Sequence, residues 1–115
     1  MSIYLYGIPN CDTVKKARDW LTARGIAYVF HDYKKQGVDP AKLRAWAAVV
    51  GWDKLLNRAG TTFKKLPDAD KMDLNAEKSM VLMVANPSCI KRPVVEYAGG
   101  ILVGFKPDEW GLVLK

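Results

Sequence analysis

Residues 6–17 read YGIPNCDTVKKA, and this stretch decides the fold. The apolar run over residues 3–6 predicts a short strand, the Gly-Ile-Pro-Asn segment predicts a turn, and a helical pattern begins at Asp12 or Thr13. Cys11 is therefore expected at or just before the N-terminus of a helix. Unpaired backbone N–H groups and the positive end of the helix dipole favour a thiolate there, which indicates a redox or thiol-transfer role. The alternative is a buried cysteine that packs as a small apolar side chain.

The composition indicates a single globular domain. The chain has 115 residues, of which 50% are hydrophobic, and no repeat, low-complexity tract or linker divides it. No apolar run approaches the ~18 residues that a membrane-spanning helix needs, and no secretory leader pattern is present, so we expect a cytoplasmic protein with no membrane partner. The formal charge of +6 favours acidic ligands such as glutathione or oxyanions, whereas the scattered basic residues do not favour nucleic acid.

The hydrophobic pattern predicts an α/β fold. A first helix is expected from Asp12 to Arg24 and a second strand from Ile26 to His31, with Gly25 between them. Strand, helix and strand of these lengths predict a right-handed βαβ crossover with two parallel strands.

The remainder of the chain changes period twice. Helices are predicted over residues 40–50, 52–56 and 75–84, a β-hairpin over 94–97 and 101–105, and a last short helix from Pro107 or Asp108. The order of βαβ, helical insertion at about 39–86, hairpin and C-terminal helix is that of a thioredoxin-like fold, here in one domain over residues 1–115.

Four segments resemble a known family. They are YGIPNCDTVKKA at 6–17, HDY at 31–33, LLNRAGTT at 55–62 and IKRPV at 90–94. In this order and at these spacings they resemble the arsenate reductase ArsC family, to which the relatives of the Spx regulator belong, and within it the small YffB-type branch. The resemblance covers nearly the whole chain.

The resemblance implies roles for individual residues. Cys11 matches the family's nucleophilic cysteine, and Arg92 matches an arginine that holds the anionic substrate beside it. Pro93 matches the position where thioredoxin folds usually carry a cis-proline. In glutathione-binding relatives the backbone beside this proline pairs with the tripeptide, so Arg92 and Val94 are expected to supply main-chain contacts. A planar guanidinium independently suits two-point contact with a carboxylate or an oxyanion.

Arsenate reductases of this family use two further arginines. Asn57 aligns with the first of them, with Arg58 one residue later, and Lys106 falls at the second. Lysine keeps the charge but lacks the guanidinium fork, which argues against arsenate as the substrate. Asn10 and Lys15, on either side of Cys11, complete the predicted set of binding residues.

The cysteine spacing predicts a monothiol site. Ile8 and Val14 stand where a second cysteine would form a Cys-x-x-Cys pair with Cys11. Cys89 remains the one candidate for a resolving thiol, but a packed or passive role is favoured, since a disulfide needs Cα atoms within ~7 Å of each other.

Other polar residues give weaker signals. His31 suits a general base for thiol chemistry, although its place at a strand end favours a structural role. Asp12 opposes thiolate formation unless it points away from the sulfur. One histidine and two distant cysteines lack the spacing of a zinc site, so no metal is expected.

These observations predict a glutathione-dependent monothiol reductase. The Cys11 thiolate would attack, Arg92 would steady the anionic group, and glutathione would be the co-substrate that resolves the adduct. Two alternatives follow from the resemblance: an Spx-like interaction module without catalysis that docks on RNA polymerase, or a true arsenate reductase working with Arg58, Arg92 and Lys106.

Overall fold

The computed structural model describes residues 3–9 and 11–114, and it confirms the predicted α/β fold. The elements in chain order are β1 (Tyr4–Gly7), α1 (Asp12–Ala23), β2 (Val29–Asp32), α2 (Tyr33–Gln36), α3 (Pro40–Val50), α4 (Trp52–Leu55), α5 (Thr61–Lys64), α6 (Asp68–Lys71), α7 (Ala76–Ala85), a 3-10 helix (Pro87–Cys89), β3 (Val94–Tyr97), β4 (Gly100–Val103) and α8 (Pro107–Val113). The chain forms two compact units, residues 1–36 with 92–115, and residues 37–91. A single domain over the whole chain stays a prediction.

The first unit contains a mixed four-stranded sheet of order β2-β1-β3-β4. The central strand β1 runs parallel to β2 and antiparallel to β3, and β3 forms a hairpin with β4. Tyr6 of β1 pairs with His31 on one side and with Val94 on the other. This is the predicted thioredoxin-like topology, with the βαβ unit and the hairpin in one sheet.

One face of this sheet packs on α1 and α8. The buried cluster there is formed by Leu5, Val14, Ala17, Leu21, Val95, Leu102, Trp110 and Leu114. Leu5, Val95 and Leu102 are register partners across three strands, so they project from the same face. The α1 residues recur at intervals of three and four, which is the spacing of one helix face. The predicted apolar face of the first helix is therefore the observed one.

The second unit consists of helical segments. The Asp39 carboxylate caps α3 by accepting a hydrogen bond from the Ala41 N–H at 3.0 Å, and the Asn75 side chain caps α7 through the Lys78 N–H at 2.8 Å. Gly51, with φ of +92°, ends α3. A single antiparallel bridge joins Leu56 to Ile90.

The structure differs from the sequence-based expectation mainly in short segments. The second strand begins at Val29 instead of Ile26, because the Ile26 N–H still bonds to the Leu21 carbonyl and finishes the helix end. The single turns α2, α5, α6 and the 3-10 helix were not predicted, since three or four residues give no periodic pattern. Among the described residues, no helix has the length and apolar character needed to cross a membrane.

The packing of β1 on α1 generates a stability prediction. A Cβ at Gly7 would lie 2.8 Å from a γ-methyl of the fully buried Val14. We expect Gly7→Ala to lower the free energy of unfolding by about 1–3 kcal/mol, because this core has no room for an added methyl group. Gly111→Ala is the matched control, since a Cβ there meets nothing within 4 Å and alanine is the better helix former. Urea denaturation of both variants measures the effect; an unchanged Gly7→Ala midpoint contradicts the argument.

Candidate functional site at the N-terminus of the first helix

Cys11 is the N-cap residue of α1. Its backbone is extended (φ −119°, ψ 123°) and its carbonyl accepts the first helical hydrogen bond, from the Lys15 N–H at 2.9 Å. The Cys11 side chain makes no capping hydrogen bond, and N–H groups in the first turn of a helix attract an anion. The side chain is half-buried and packs against the α1-facing core. The sulfur therefore sits on the core edge at a helix N-terminus, as the sequence predicted.

Asp12 is the first residue of α1 and is exposed. An acidic residue in the first turn stabilises a helix through its dipole. Within the described residues, the Asp12 carboxylate makes no ion pair, and it does not cap the helix. An anion that binds beside Cys11 would therefore compete with the Asp12 carboxylate for the positive end of the α1 dipole.

Arg92, Pro93 and Val94 lead into β3, the antiparallel neighbour of β1. Val94, two residues after Arg92, pairs across the sheet with Tyr6, which is five residues before Cys11. Arg92 and Cys11 are consequently at the same end of the sheet. The Arg92–Pro93 peptide bond is cis, and Pro93 and Val94 are buried. The half-buried Arg92 guanidinium makes no hydrogen bond or ion pair with any residue that the structure describes.

A polar cluster lies on the sheet face opposite α1. The Tyr6 hydroxyl donates a 2.6 Å hydrogen bond to Glu96 Oε1, and the Tyr6 ring lies 4.9 Å from the His31 ring and 6.3 Å from the Tyr33 ring. The Tyr33 hydroxyl is buried and, within the described part of the chain, has no hydrogen-bond partner. His31 is packed between aromatic rings, which supports its structural interpretation over that of a base for Cys11.

The pKa of Tyr33 is raised well above its usual value. Burial is the largest cause, and the nearby Tyr6 and Glu96 act in the same direction, while the Arg92 guanidinium opposes them. The phenol is therefore neutral throughout the physiological pH range. The Arg92 charge acts on this hydroxyl, so the polar cluster and the start of β3 are electrostatically connected.

The other predicted site residues lie in different places. Lys15 is exposed on the first turn of α1, and Lys106 is the exposed N-cap residue of α8. Asn10 lies outside the described residues. Arg58 belongs to the second unit, where it is exposed and its guanidinium lies 5.4 Å from the Trp52 ring. The neighbouring Asn57 is half-buried, and its Oδ1 accepts a hydrogen bond from the Ala59 N–H.

Neither Cys11 nor Cys89 forms a disulfide. Cys89 is fully buried in the second unit, and its carbonyl accepts a 2.7 Å hydrogen bond from the Asn57 N–H. A fully buried thiol is the packed state that the sequence favoured. In the portion of the chain that is described, no group of three or more His, Cys, Asp or Glu side chains could hold a metal ion.

Comparison with known proteins identifies the family. The ArsC family model matches residues 6–113. The chain belongs to the ArsC family. The solved structure of the YFFB protein is 56% identical, superposes with a TM-score of 0.96, and the match covers 98% of this chain and 99% of that one.

Other relatives of this ArsC-family chain have different descriptions. An arsenate reductase (ArsC) related protein from Brucella melitensis is 51% identical with a TM-score of 0.78, over 100% of this chain and 96% of that one. An uncharacterized protein from Haemophilus influenzae is 39% identical, over 94% of this chain and 95% of its own length. The global transcriptional regulator Spx 1 from Lactococcus lactis is 27% identical, over 93% and 84% respectively. The family thus includes proteins related to reductases and proteins described as regulators.

Sequence reasoning missed two residues of the first unit. Tyr33 carries an unpartnered buried hydroxyl, and the Arg18 side chain is fixed by Tyr28 and Phe30 beside α1. Tyr33 gave a signal as part of the HDY segment. Arg18 gave none, because its partners come from the chain after the helix.

The buried phenol of Tyr33 generates a prediction about pH. We expect Tyr33→Phe to raise stability at pH 7 by about 1 kcal/mol, because it removes a buried hydroxyl without a partner. Since the folded-state pKa is raised, the unfolded chain ionises first as the pH rises past the ordinary value of 10.0, and the wild type loses stability there. The advantage of the variant should grow by up to ~1.4 kcal/mol per pH unit above that point.

Urea unfolding at pH 7 and across the alkaline range measures this difference. Comparing the two proteins cancels the titration of lysines and other tyrosines that both share. A variant that is less stable at pH 7, with a constant difference at high pH, would show that the hydroxyl has a partner.

Proposed function

We propose that this ArsC-family protein is a glutathione-dependent monothiol reductase, with Cys11 as the nucleophile and glutathione as the co-substrate. The observation that carries the proposal is the position of Cys11 as the N-cap of a twelve-residue helix, where its own side chain makes no capping hydrogen bond. The N-terminus of a helix attracts anionic groups, and the thiolate is the attacking form of a cysteine. The single thiol at this site implies that an external thiol completes the cycle.

The chemistry is two thiol–disulfide exchanges. The Cys11 thiolate attacks the glutathione sulfur of a mixed disulfide, the S–S bond breaks, and the substrate thiolate leaves with the bonding electron pair. Cys11 then carries glutathione in a disulfide. A second glutathione thiolate attacks the glutathione sulfur of this adduct, forms oxidised glutathione and returns Cys11 as a thiolate. In the net reaction one free glutathione thiolate is consumed, the substrate leaves as a thiolate, and the oxidised glutathione joins the incoming glutathione to the one that the substrate carried.

Arg92 holds the anionic group of the substrate or of glutathione in this scheme. It lies at the same end of the sheet as Cys11 and its guanidinium has no partner among the described residues. A partly desolvated guanidinium forms stronger charge-assisted hydrogen bonds than a fully solvated one. The backbone of Arg92 and Val94 on either side of Pro93, with Lys15 and Lys106, completes the binding set proposed in the first unit. The binding roles of Asn10 and Arg58 stay predictions from the sequence.

Mass spectrometry after incubation with oxidised glutathione tests the nucleophile. We expect one glutathione adduct on the wild type, on Cys11, and its removal by added glutathione. The adduct should be absent from Cys11→Ser and unchanged in Cys89→Ala, which is the matched control because that thiol is fully buried. Arg92→Lys keeps the charge but loses the fork, so its adduct should form about tenfold more slowly. An adduct of equal yield in Cys11→Ser would refute the proposal.

The relationship to Spx regulators favours a second candidate, an interaction module that binds RNA polymerase. An apolar groove of about 340 Å³ on the second unit, lined by Pro40, Arg44, Met80, Val81, Val84 and Ala85, supports it. Val81 lines this groove and is 68% exposed, so its side chain is open to contact with a partner. Co-elution with purified RNA polymerase on a sizing column is the test. Val81→Lys should abolish co-elution in this case, while exposed Val49→Lys on α3 should not; no co-elution of the wild type excludes this candidate.

A further inference from the structure

A groove runs along α1 in the first unit. Its volume is about 370 Å³. It is lined by Pro9, Lys15, Arg18, Asp19, Thr22 and Tyr28. Pro9 precedes Cys11 by two residues and Lys15 follows it by one helical turn, so the chain on both sides of Cys11 contributes to one end of the groove.

The groove follows one stripe of α1 that begins a turn after the thiol. Lys15, Arg18 and Thr22 are separated by three and four residues, which is the spacing of a single helix stripe, and Cys11 is the N-cap residue at that end of the helix. Cys11 and Arg18 are about 10 Å apart along the axis, at ~1.5 Å per residue.

The Arg18 guanidinium is held in place from two sides. Its Nε donates a 3.0 Å hydrogen bond to the Tyr28 hydroxyl, and its central carbon lies 4.2 Å from the centroid of the Phe30 ring. The two terminal nitrogens make no hydrogen bond to any described residue. A guanidinium that is stacked and tethered through Nε loses little entropy on binding, and its free edge can hold a carboxylate through two parallel hydrogen bonds.

The groove carries both signs of charge. Lys15 and Arg18 are cationic, and Asp19 next to them is an exposed carboxylate without an ion pair in the described part of the chain. A simple anion would be attracted by the first two and repelled by the third. A group with a carboxylate and an ammonium on the same carbon satisfies all three.

We propose that this groove binds the zwitterionic α-amino-acid end of a peptide thiol, which in glutathione is the γ-glutamyl end, while the sulfur reacts at Cys11. Arg18 holds the carboxylate and Asp19 holds the ammonium. Eight bonds separate the α-carboxyl carbon of the γ-glutamyl end from the reacting sulfur, roughly 9 Å when extended at about 3.5 Å per three bonds, which suits the axial offset of about 10 Å between Cys11 and Arg18. This inference rests on the proposed function and assigns Arg18 and Asp19 as specificity-determining residues.

The rate of Cys11 modification by three disulfides tests the assignment. Oxidised glutathione and oxidised γ-glutamylcysteine carry the γ-glutamyl end, and bis(2-hydroxyethyl) disulfide carries no charge. We expect Arg18→Gln to slow the reaction with the first two about tenfold, equivalent to about 1.4 kcal/mol, and to leave the third within twofold. Arg24→Gln is the matched control, since Arg24 is on the same helix and stacks similarly, 4.2 Å from the Trp20 ring.

Asp19→Asn provides a test of sign. If the groove only attracts anions through its net positive charge, removing the Asp19 charge should speed the reaction with an anionic disulfide. The proposal predicts the opposite, a slower reaction with both γ-glutamyl disulfides, because the ammonium loses its partner. A faster reaction, or equal slowing by Arg18→Gln and Arg24→Gln, overturns the proposal.

A binding measurement separates this inference from the proposed function and does not depend on a variant at Arg18. In Cys11→Ser, titration with S-methylglutathione should shift the Arg18 Nε resonance in an NMR spectrum and leave that of Arg24 in place. Adduct formation at Cys11 without this shift overturns the groove and leaves the reductase standing. The shift without any adduct in the wild type retains a peptide-binding groove and removes the reductase.

Discussion

The close approach of β1 to α1 is the constraint on which the position of the thiol depends. Gly7 ends the strand, and a γ-methyl of Val14 lies where the Cβ of any other residue would be. The strand can therefore lie against the first turn of the helix with only a short connection between them. Cys11 is confined to the end of that connection, at the N-cap, by contacts that belong to the hydrophobic core.

The two faces of the sheet differ in character: one carries the hydrophobic core and the other carries a cluster of polar side chains. The face towards α1 is a dry core, in which Leu5 packs with residues of β3, β4 and both helices. The opposite face carries Tyr6, His31 and Glu96, with Tyr33 from the adjacent turn against them. Successive side chains of a strand point to opposite faces of the sheet, so Leu5 of β1 lies in the core and Tyr6 lies in the polar cluster. The central strand β1 thus packs against the helix that begins after Cys11. It also positions the polar cluster in which the Arg92 charge acts on the Tyr33 hydroxyl.

The sequence predicted those features that depend on local pattern. The helix after Cys11, the helices predicted over residues 40–50 and 75–84, and the hairpin around Gly99 follow from periodicity and turn chemistry within a few residues. The start of the second strand could not be predicted, since it depends on the hydrogen bond from the Ile26 N–H to the Leu21 carbonyl, which extends the end of α1 into the predicted strand.

Features that depend on contacts between residues far apart in the chain could not be predicted from the sequence pattern. Arg18 appeared as one more exposed basic residue on a helix, and only the packing of Phe30 and Tyr28 beside it distinguishes it from Lys16. The polar cluster likewise joins residues of β1, β2, α2 and β3, which no spacing rule connects. The proposed role of Arg92 came from the family resemblance for the same reason, because no spacing rule places this residue at the end of the sheet where Cys11 lies.

In the proposed function, Arg92 and Arg18 suit two ligands that bind in turn. The half-buried Arg92 guanidinium makes no hydrogen bond to a described residue, so its N–H groups are open to anionic groups of more than one shape. The Arg18 guanidinium is fixed by a hydrogen bond and a ring, so it would hold a bound group in one orientation. In the proposed mechanism the substrate varies from one turnover to the next, whereas the resolving thiol is always the same molecule. Arg92 therefore suits the first ligand and Arg18 suits the second.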